Sequence, residues 1–203
     1  MKCYKEIFEC RICKCGDFLD IIDLGYHSLS GCFPKSAEVS PQKAPLKLVR
    51  CSNCSLVQLK HSVIPEFMFT QDYGYCSSIN QTMRTHLSEI VESIGKILTL
   101  NKDDIVLDIG CNDGTLLKAY DDKFIKLGID PIVDKFKDSY PSNIKAINGF
   151  FSKDIFQKFE LAPAKAKVIT SISMFYDLED PVHFAKDIAA CLDKDGLWVL
   201  EQS

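Results

Sequence analysis

The chain has 203 residues, 46% of them hydrophobic and 26% charged, which is the composition of a folded globular protein and too apolar for an extended disordered one. Its 24 Lys and Arg against 28 Asp and Glu leave a net charge of -4, whereas a nucleic-acid binder would carry a basic excess to neutralise phosphates. No stretch approaches the roughly 18 to 20 apolar residues of a membrane span, and Met1-Lys2-Cys3-Tyr4-Lys5-Glu6 lacks the apolar core of a signal peptide. The expected compartment is the cytoplasm, with no nucleic-acid and no membrane partner.

Residues 1–68 are expected to form a small zinc-binding domain. Ten cysteines are many for a reducing compartment, where stable disulfides are rare and grouped cysteines more often hold metal. Cys10-Arg11-Ile12-Cys13 and Cys51-Ser52-Asn53-Cys54 are two C-x-x-C knuckles, while Cys3, Cys15, Cys32, Cys76, Cys111 and Cys191 are scattered. Two residues between cysteines let both thiolates of one tight turn reach the same ion, and two such turns supply a tetrahedron of sulfurs with no open position. A redox motif needs only one pair, so a structural zinc ion held by Cys10, Cys13, Cys51 and Cys54 is expected, with Cys15 able to replace Cys13 if the first turn is wider. Between the knuckles, residues 19–25 alternate as a strand does, and residues 34–45, rich in Pro, Ser and Lys, read as loop.

Residues 69–100 form a connecting segment and a helix. Ile79, Met83, Leu87, Ile90, Ile94 and Ile97 recur at spacings of three and four, which places them on one helical face. Ser77 or Ser78 is the expected N-cap.

Residues 101–203 alternate apolar strands, expected at 105–109, 126–130, 144–148, 168–172 and 197–201, with helices expected near 115–120, 132–139, 153–159 and 181–192. Strand followed by helix, repeated, builds a parallel sheet with helices on both faces. The expected fold class is therefore α/β, a Rossmann-like parallel sheet preceded by the small zinc-binding domain. In such sheets ligands bind beyond the carboxyl ends of the strands, where glycines let the backbone approach closely. That position is taken by Gly110-Cys111-Asn112-Asp113-Gly114, directly after the first strand. It has two glycines where the dinucleotide fingerprint has three, and Asp108 and Asp113 flank the turn, which disfavours a pyrophosphate. Asp130 ends the second strand, where a carboxylate accepts both hydroxyls of a ribose; at a strand end facing the cleft, it is expected to serve the ligand and not the fold.

Asp108-Ile109-Gly110-Cys111-Asn112-Asp113-Gly114 resembles the D-[IV]-G-x-N-D-G form of the S-adenosylmethionine motif of class I methyltransferases. Combined with the two knuckles, Pro45-Leu46-Lys47-Leu48-Val49-Arg50-Cys51, Cys54-Ser55-Leu56-Val57-Gln58 and Tyr73-Gly74-Tyr75-Cys76-Ser77-Ser78, it makes nearly the whole chain similar, in order and spacing, to the zinc-containing sugar C-methyltransferases. Those enzymes methylate a carbon of a nucleotide-linked ketosugar.

The resemblance implies S-adenosylmethionine as cofactor and a nucleotide-linked sugar as substrate. It implies that Gly110, Cys111, Asn112, Asp113 and Gly114 lie against the methionine portion, and that Asp108 orients the loop and the cofactor's amino group. Asp130 would hold the ribose, Phe150 and Phe151 would lie near the adenine, and Ser171 and Ile172 would line the methyl-donor side. Tyr73 and Tyr75 match family tyrosines that reach toward the substrate, and Tyr75 is the candidate for polarising the sugar oxygen. Where many relatives carry a histidine after the fourth strand, this chain has Ser173-Met174-Phe175-Tyr176-Asp177, making Tyr176 and Asp177 the acid–base candidates. His27, His61, His86 and His183 belong to no motif and are expected to be surface or packing residues.

The family's sheet ordinarily continues beyond the fifth strand, and a further domain and the general base follow. The sheet is therefore expected to be incomplete, with an open edge that favours self-association, and the chain to bind cofactor with little turnover. The alternative is a zinc-ribbon binding module joined to a degenerate methyltransferase-like domain, which the acidic balance disfavours. An NAD-dependent sugar enzyme is disfavoured by the N-D-G loop.

Overall fold

A computed structural model describes residues 2–30, 33, 36, 38–69, 73–161 and 164–202. Cys32 and part of the expected loop over 34–45 lie outside the described residues. The chain divides into two compact units, Met1–Tyr75 with Glu179–Val182, and Cys76–Leu178 with His183–Ser203.

In the first unit, β1 (Tyr4–Glu6) pairs antiparallel with β5 (His61–Val63). A second sheet has the order β2 (Phe18–Ser28), β3 (Lys43–Cys51), β4 (Val57–Leu59), all antiparallel. The alternation over 19–25 thus belongs to a strand, and β3 absorbs the end of the stretch expected as loop. A short helix, α1 (Pro65–Met68), has Pro at its start, where the missing N–H has no intrahelical acceptor to lose. The apolar core is small: Cys3, Leu29 and Ala44, with Tyr4, Val63, Phe67 and Met68 packed on them. Below some tens of residues, so little buried area needs a metal or disulfide staple.

The second unit opens with a 3-10 turn, Ser77–Ile79, and then α2 (Gln81–Ile97). The N-cap is Asn80, whose side chain accepts the Thr82 N–H at 2.8 Å, and not Ser77 or Ser78. Ser77 and Ser78 fall in the 3-10 turn ahead of the helix, too early to reach its first amides. Leu87 and Ile94 carry the buried face of α2, but Ile79 and Ile97, at the ends of the apolar stripe, are 77% and 72% exposed.

The five expected parallel strands are present: β6 (Ile105–Ile109), β7 (Ile125–Asp130), β8 (Ile144–Asn148), β9 (Ala166–Ile172) and β10 (Leu192–Glu201), in the spatial order β10-β9-β6-β7-β8. Every residue of β6 is buried, as befits a central strand covered on both faces. Ile105, Leu107 and Ile109 face one cluster with Phe156, Phe184 and Ile188. Val106 faces the other, with Leu87, Ile94, Leu117 and Val168. Helices α3 (Thr115–Lys118), α4 (Lys153–Gln157) and α5 (Pro181–Cys191) occupy the expected places. Residues 132–139, expected as a helix, are instead 3-10 turns over Val133–Ser139, interrupted at Phe136 and ended by Tyr140, which is extended as the residue before Pro141 prefers. The switch in strand order falls at β6, flanked by β9 and β7, so the carboxyl end of β6 is the crevice of this sheet.

Candidate active site and metal centre

The four knuckle cysteines converge. One sulfur from each of Cys10, Cys13, Cys51 and Cys54 lies within 4.8 Å of the others, with Cys10 to Cys54 at 3.6 Å and Cys13 to Cys51 at 3.5 Å. A tetrahedral zinc with bonds of about 2.3 Å separates its sulfurs by roughly 3.8 Å, so the donors fit that ion. The two knuckles repeat one backbone design. Lys14 N–H bonds Cys10 C=O and Ser55 N–H bonds Cys51 C=O, each at 3.0 Å, while Cys10 N–H bonds Cys15 C=O and Cys51 N–H bonds Leu56 C=O at 2.8 and 2.9 Å. Lys14 and Ser55 both take left-handed φ, at 60° and 64°. The Asn53 side chain and then the Cys15 backbone draw the Cys13 thiol down to about 6, toward the thiolate that a metal needs.

Cys15 is not a ligand in this arrangement; its sulfur accepts the Asp17 N–H at 3.5 Å. Around the knuckles, the Gln58 side chain accepts the Arg11 N–H at 3.1 Å, and the Arg11 guanidinium donates to Leu59 C=O at 2.9 Å and Ser62 Oγ at 2.5 Å. No sequence signal marks Gln58 or Arg11 as supports of the metal turn.

In the second unit the glycine loop leaves β6 with three left-handed residues, Gly110 (φ 75°), Asn112 (φ 49°) and Gly114 (φ 77°). The requirement at Gly114 is also steric, because a Cβ there would stand 2.8 Å from the Tyr140 ring. Tyr140 in turn donates its hydroxyl to Asn112 C=O.

The acids flanking the loop divide their work. Asp113 is buried. One of its oxygens accepts from Thr115 N–H at 3.1 Å and Thr115 Oγ1 at 2.6 Å; the other accepts from Ser78 N–H at 2.9 Å and Cys76 Sγ at 3.1 Å. Burial opposes its ionisation, yet these donors hold the carboxyl below its ordinary range. Asn112 Oδ1 accepts the Ser77 N–H at 3.0 Å. Cys76, Ser77 and Ser78 are thereby tied to the loop, and the loop is joined to the start of α2. Asp113 is a loop organiser whose acceptor sites are taken up by protein donors.

Asp108 lies inside β6 and accepts the Thr170 hydroxyl at 2.6 Å. Burial pushes its carboxyl up to about 7, against the opposing Thr170 bond and with the Asp130 charge adding to the rise. Asp130, at the end of β7, accepts Asn112 N–H through Oδ2 and Ile132 N–H through Oδ1, both at 2.9 Å. Each carboxylate oxygen has two acceptor sites, of which these amides take one apiece. Burial raises the Asp130 carboxyl, and the two backbone bonds counteract it.

The other expected site residues are placed as follows. Phe150 is 45% exposed, whereas Phe151 packs against the core with its ring 5.2 Å from Phe184. Ser171 is fully buried and its hydroxyl accepts from Trp198 Nε1 at 2.8 Å, leaving Ile172 as the partly exposed end of β9. Tyr176 is exposed, and Asp177 follows it in the 3-10 turn Phe175–Asp177. Although Asp177 as a residue is exposed, protein around its carboxyl raises it to about 6. Tyr75 falls in the first unit and is 44% exposed. His183 is a surface residue whose side chain is 70% exposed, 3.7 Å from Asp187. His86, expected to be a surface or packing residue, has its side chain 41% exposed and lies 2.6 Å from Glu201 Oε2.

Residues 79–203, more than half of the chain, match the family model described as a methyltransferase domain. The chain belongs to this methyltransferase family. Ahead of the methyltransferase domain, residues 10–69 match a model described as a proposed zinc binding domain, and the four-cysteine cluster lying inside that match is a structural zinc site. The chain is similar to a C-methyltransferase, NovU, of Streptomyces niveus, with 24% identity over 200 residues covering 97% of this chain and 47% of that protein. It therefore spans about half the length of this curated relative. Among solved structures it is similar to the plantazolicin methyltransferase BpumL in complex with S-adenosylhomocysteine and a substrate analogue (14% identity, 62% of this chain and 49% of that one, TM-score 0.49). It is also similar to the YcgJ protein of Bacillus subtilis (19% identity, 57% and 50%, TM-score 0.44). The methyltransferase domain fits S-adenosylmethionine by its own chemistry, with a glycine turn for close backbone approach at the switch point of the sheet and the Asp130 carboxylate beside it. Among the described residues no helix is long and apolar enough to cross a membrane.

Proposed function

We propose that the chain carries the cofactor-binding half of an S-adenosylmethionine-dependent C-methyltransferase acting on a nucleotide-linked ketosugar. The observation that carries this reading is the junction of Gly110–Gly114 with Asp130 at the switch point of the sheet, a strand-end carboxylate bonded directly to the glycine turn. The C-methyltransferase NovU, similar along nearly the whole chain, supports carbon as the atom methylated. The sugar class rests on the resemblance of the knuckles, the Tyr73–Ser78 segment and the N-D-G loop taken together.

When bound, S-adenosylmethionine supplies an electrophilic methyl group. Asp130 would hold the ribose through its remaining acceptor sites. The loop from Gly110 to Gly114 would position the methionine portion, its shape kept by Asp113, Tyr140 and Asp130. A ketone beside the target carbon acidifies its C–H, so a positioned base is needed, with a donor for the developing enolate oxygen. Tyr75, Tyr176 and Asp177 stand as candidates for those roles.

Calorimetric titration tests the cofactor reading: S-adenosylhomocysteine should bind at one site, and NAD should not. Methyl transfer to nucleotide-linked 4-ketosugars tests the substrate class, and transfer only to oxygen or nitrogen acceptors would overturn it.

A further inference from the structure

Asn112 is held at three points. Its N–H bonds Asp130 Oδ2 at 2.9 Å, its C=O accepts the Tyr140 hydroxyl, and its Oδ1 accepts the Ser77 N–H at 3.0 Å. The next residue, Asp113, takes the Ser78 N–H at 2.9 Å and the Cys76 thiol at 3.1 Å on a single oxygen. Three successive residues are thus fastened to two successive side chains of the glycine loop, 35 to 37 residues away in sequence. Asn112 and Asp113 are both buried. All five residues belong to the second unit, and Cys76 is where the chain enters it.

We infer that Asn112 and Asp113 are positioning residues that couple cofactor occupancy of the glycine loop to the Cys76–Ser78 segment, an inference resting on the placement of the cofactor proposed above. The two tasks use different groups. Close approach of a ligand uses the backbone of a glycine turn, whereas the segment is held by side chains, so one turn can serve both at once. The dihedrals of the left-handed Asn112, at φ 49°, set its amide on Asp130 and its side chain on Ser77 together. A change in those dihedrals breaks both bonds. A buried amide left without an acceptor is costly, so the segment is either bonded to the loop or has its amides released to water. A ligand that orders the turn has already fixed the side chains that the segment needs, and the segment, once bonded, orders the turn for the ligand. Holding Cys76 also fixes the peptide that follows Tyr75, the candidate for the substrate oxygen.

Hydrogen exchange resolved to single amides, read with and without S-adenosylhomocysteine, is the test, with saturation established by calorimetry. In the wild type the Ser77 and Ser78 amides should exchange about 5- to 150-fold more slowly when S-adenosylhomocysteine is bound, the usual range of coupling between sites. Asn112→Gly removes the acceptor without straining a left-handed position and should lose most of that slowing at Ser77, while Asn112→Asp, which keeps an acceptor oxygen, should retain it. Ser77→Pro leaves the loop unaltered and puts Pro at the first position of a 3-10 turn, after the extended Cys76. It should reduce the slowing at Ser78 and, because coupling is reciprocal, weaken S-adenosylhomocysteine binding. Wild-type binding of S-adenosylhomocysteine with no slowing at Ser77 and Ser78, or undiminished slowing in either Asn112→Gly or Ser77→Pro, would overturn the inference and leave the cofactor reading standing. Absence of S-adenosylhomocysteine binding in the wild type would overturn both.

Discussion

The Asp130 carboxylate accepts the Asn112 amide hydrogen at 2.9 Å, across 18 residues, and so locks the glycine loop to the end of β7. The same carboxylate accepts the Ile132 amide. A residue readable as a pure ligand contact is therefore also a structural tie, because a strand-end carboxylate beside a tight turn is the nearest acceptor for amides that would otherwise be buried unpaired.

Asp130→Ala should weaken S-adenosylhomocysteine binding about ten- to a hundredfold, from roughly 1.5 to 3 kcal/mol of lost hydrogen bonding to the ribose. It should also lower the melting temperature of the ligand-free protein, since two buried amides lose their acceptor, at about 1 to 3 kcal/mol for an unsatisfied buried group. Calorimetry and thermal unfolding of the same sample check both; unchanged affinity would place the ribose elsewhere.

Purified without added metal, the protein should contain about one zinc per chain, since a closed four-thiolate site binds the ion as part of folding. Cys51→Ser combined with Cys54→Ser should abolish it and expose residues 1–75 to proteolysis, because the apolar core of that unit is small. Elemental analysis and limited digestion are the measurements. Cys15→Ser should leave zinc content unchanged, as its sulfur lies outside the cluster.

Asp108 sets a pH dependence whose sign follows from its raised carboxyl, at about 7 in the fold against an ordinary 3.8. The folded state then holds a proton that the unfolded chain releases, so this contribution to stability is complete below about pH 4 and is lost as pH rises toward 7. Asp108→Asn keeps an acceptor for Thr170 and removes the titration. The variant should match the wild type in melting temperature near pH 4 and exceed it at pH 8; a difference that does not change with pH would refute the assignment.

Gly114→Ala should destabilise the second unit through two effects. A left-handed L-residue costs about 1 to 2 kcal/mol, and the added Cβ would stand 2.8 Å from the Tyr140 ring, displacing the group that bonds Asn112 C=O. Adding Gly114→Ala to Tyr140→Ala should cost only the backbone part, because the steric part is gone, which thermal unfolding of the two single variants and the double variant resolves.

The local pattern of residues was sufficient for the five parallel strands, the knuckle cysteines and the glycine loop, because apolar alternation, C-x-x-C spacing and paired glycines are properties of neighbouring residues. Periodicity also found the face of α2, but the N-cap is Asn80, while the amides of Ser77 and Ser78 bond the side chains of Asn112 and Asp113, each 35 residues away. The choice of Cys13 over Cys15 was likewise open in the sequence, where either spacing allows a turn. Only the convergence of both knuckles decided it. The same holds for Asp113, whose acceptors are taken by donors from two segments, and for Ser171, whose hydroxyl faces Trp198. His86 and Glu201 belong to no motif and stand 115 residues apart. Their pairing exists because α2 packs on the face of the sheet that ends at β10, and a contact made by the crossing of distant elements leaves no trace in either segment alone.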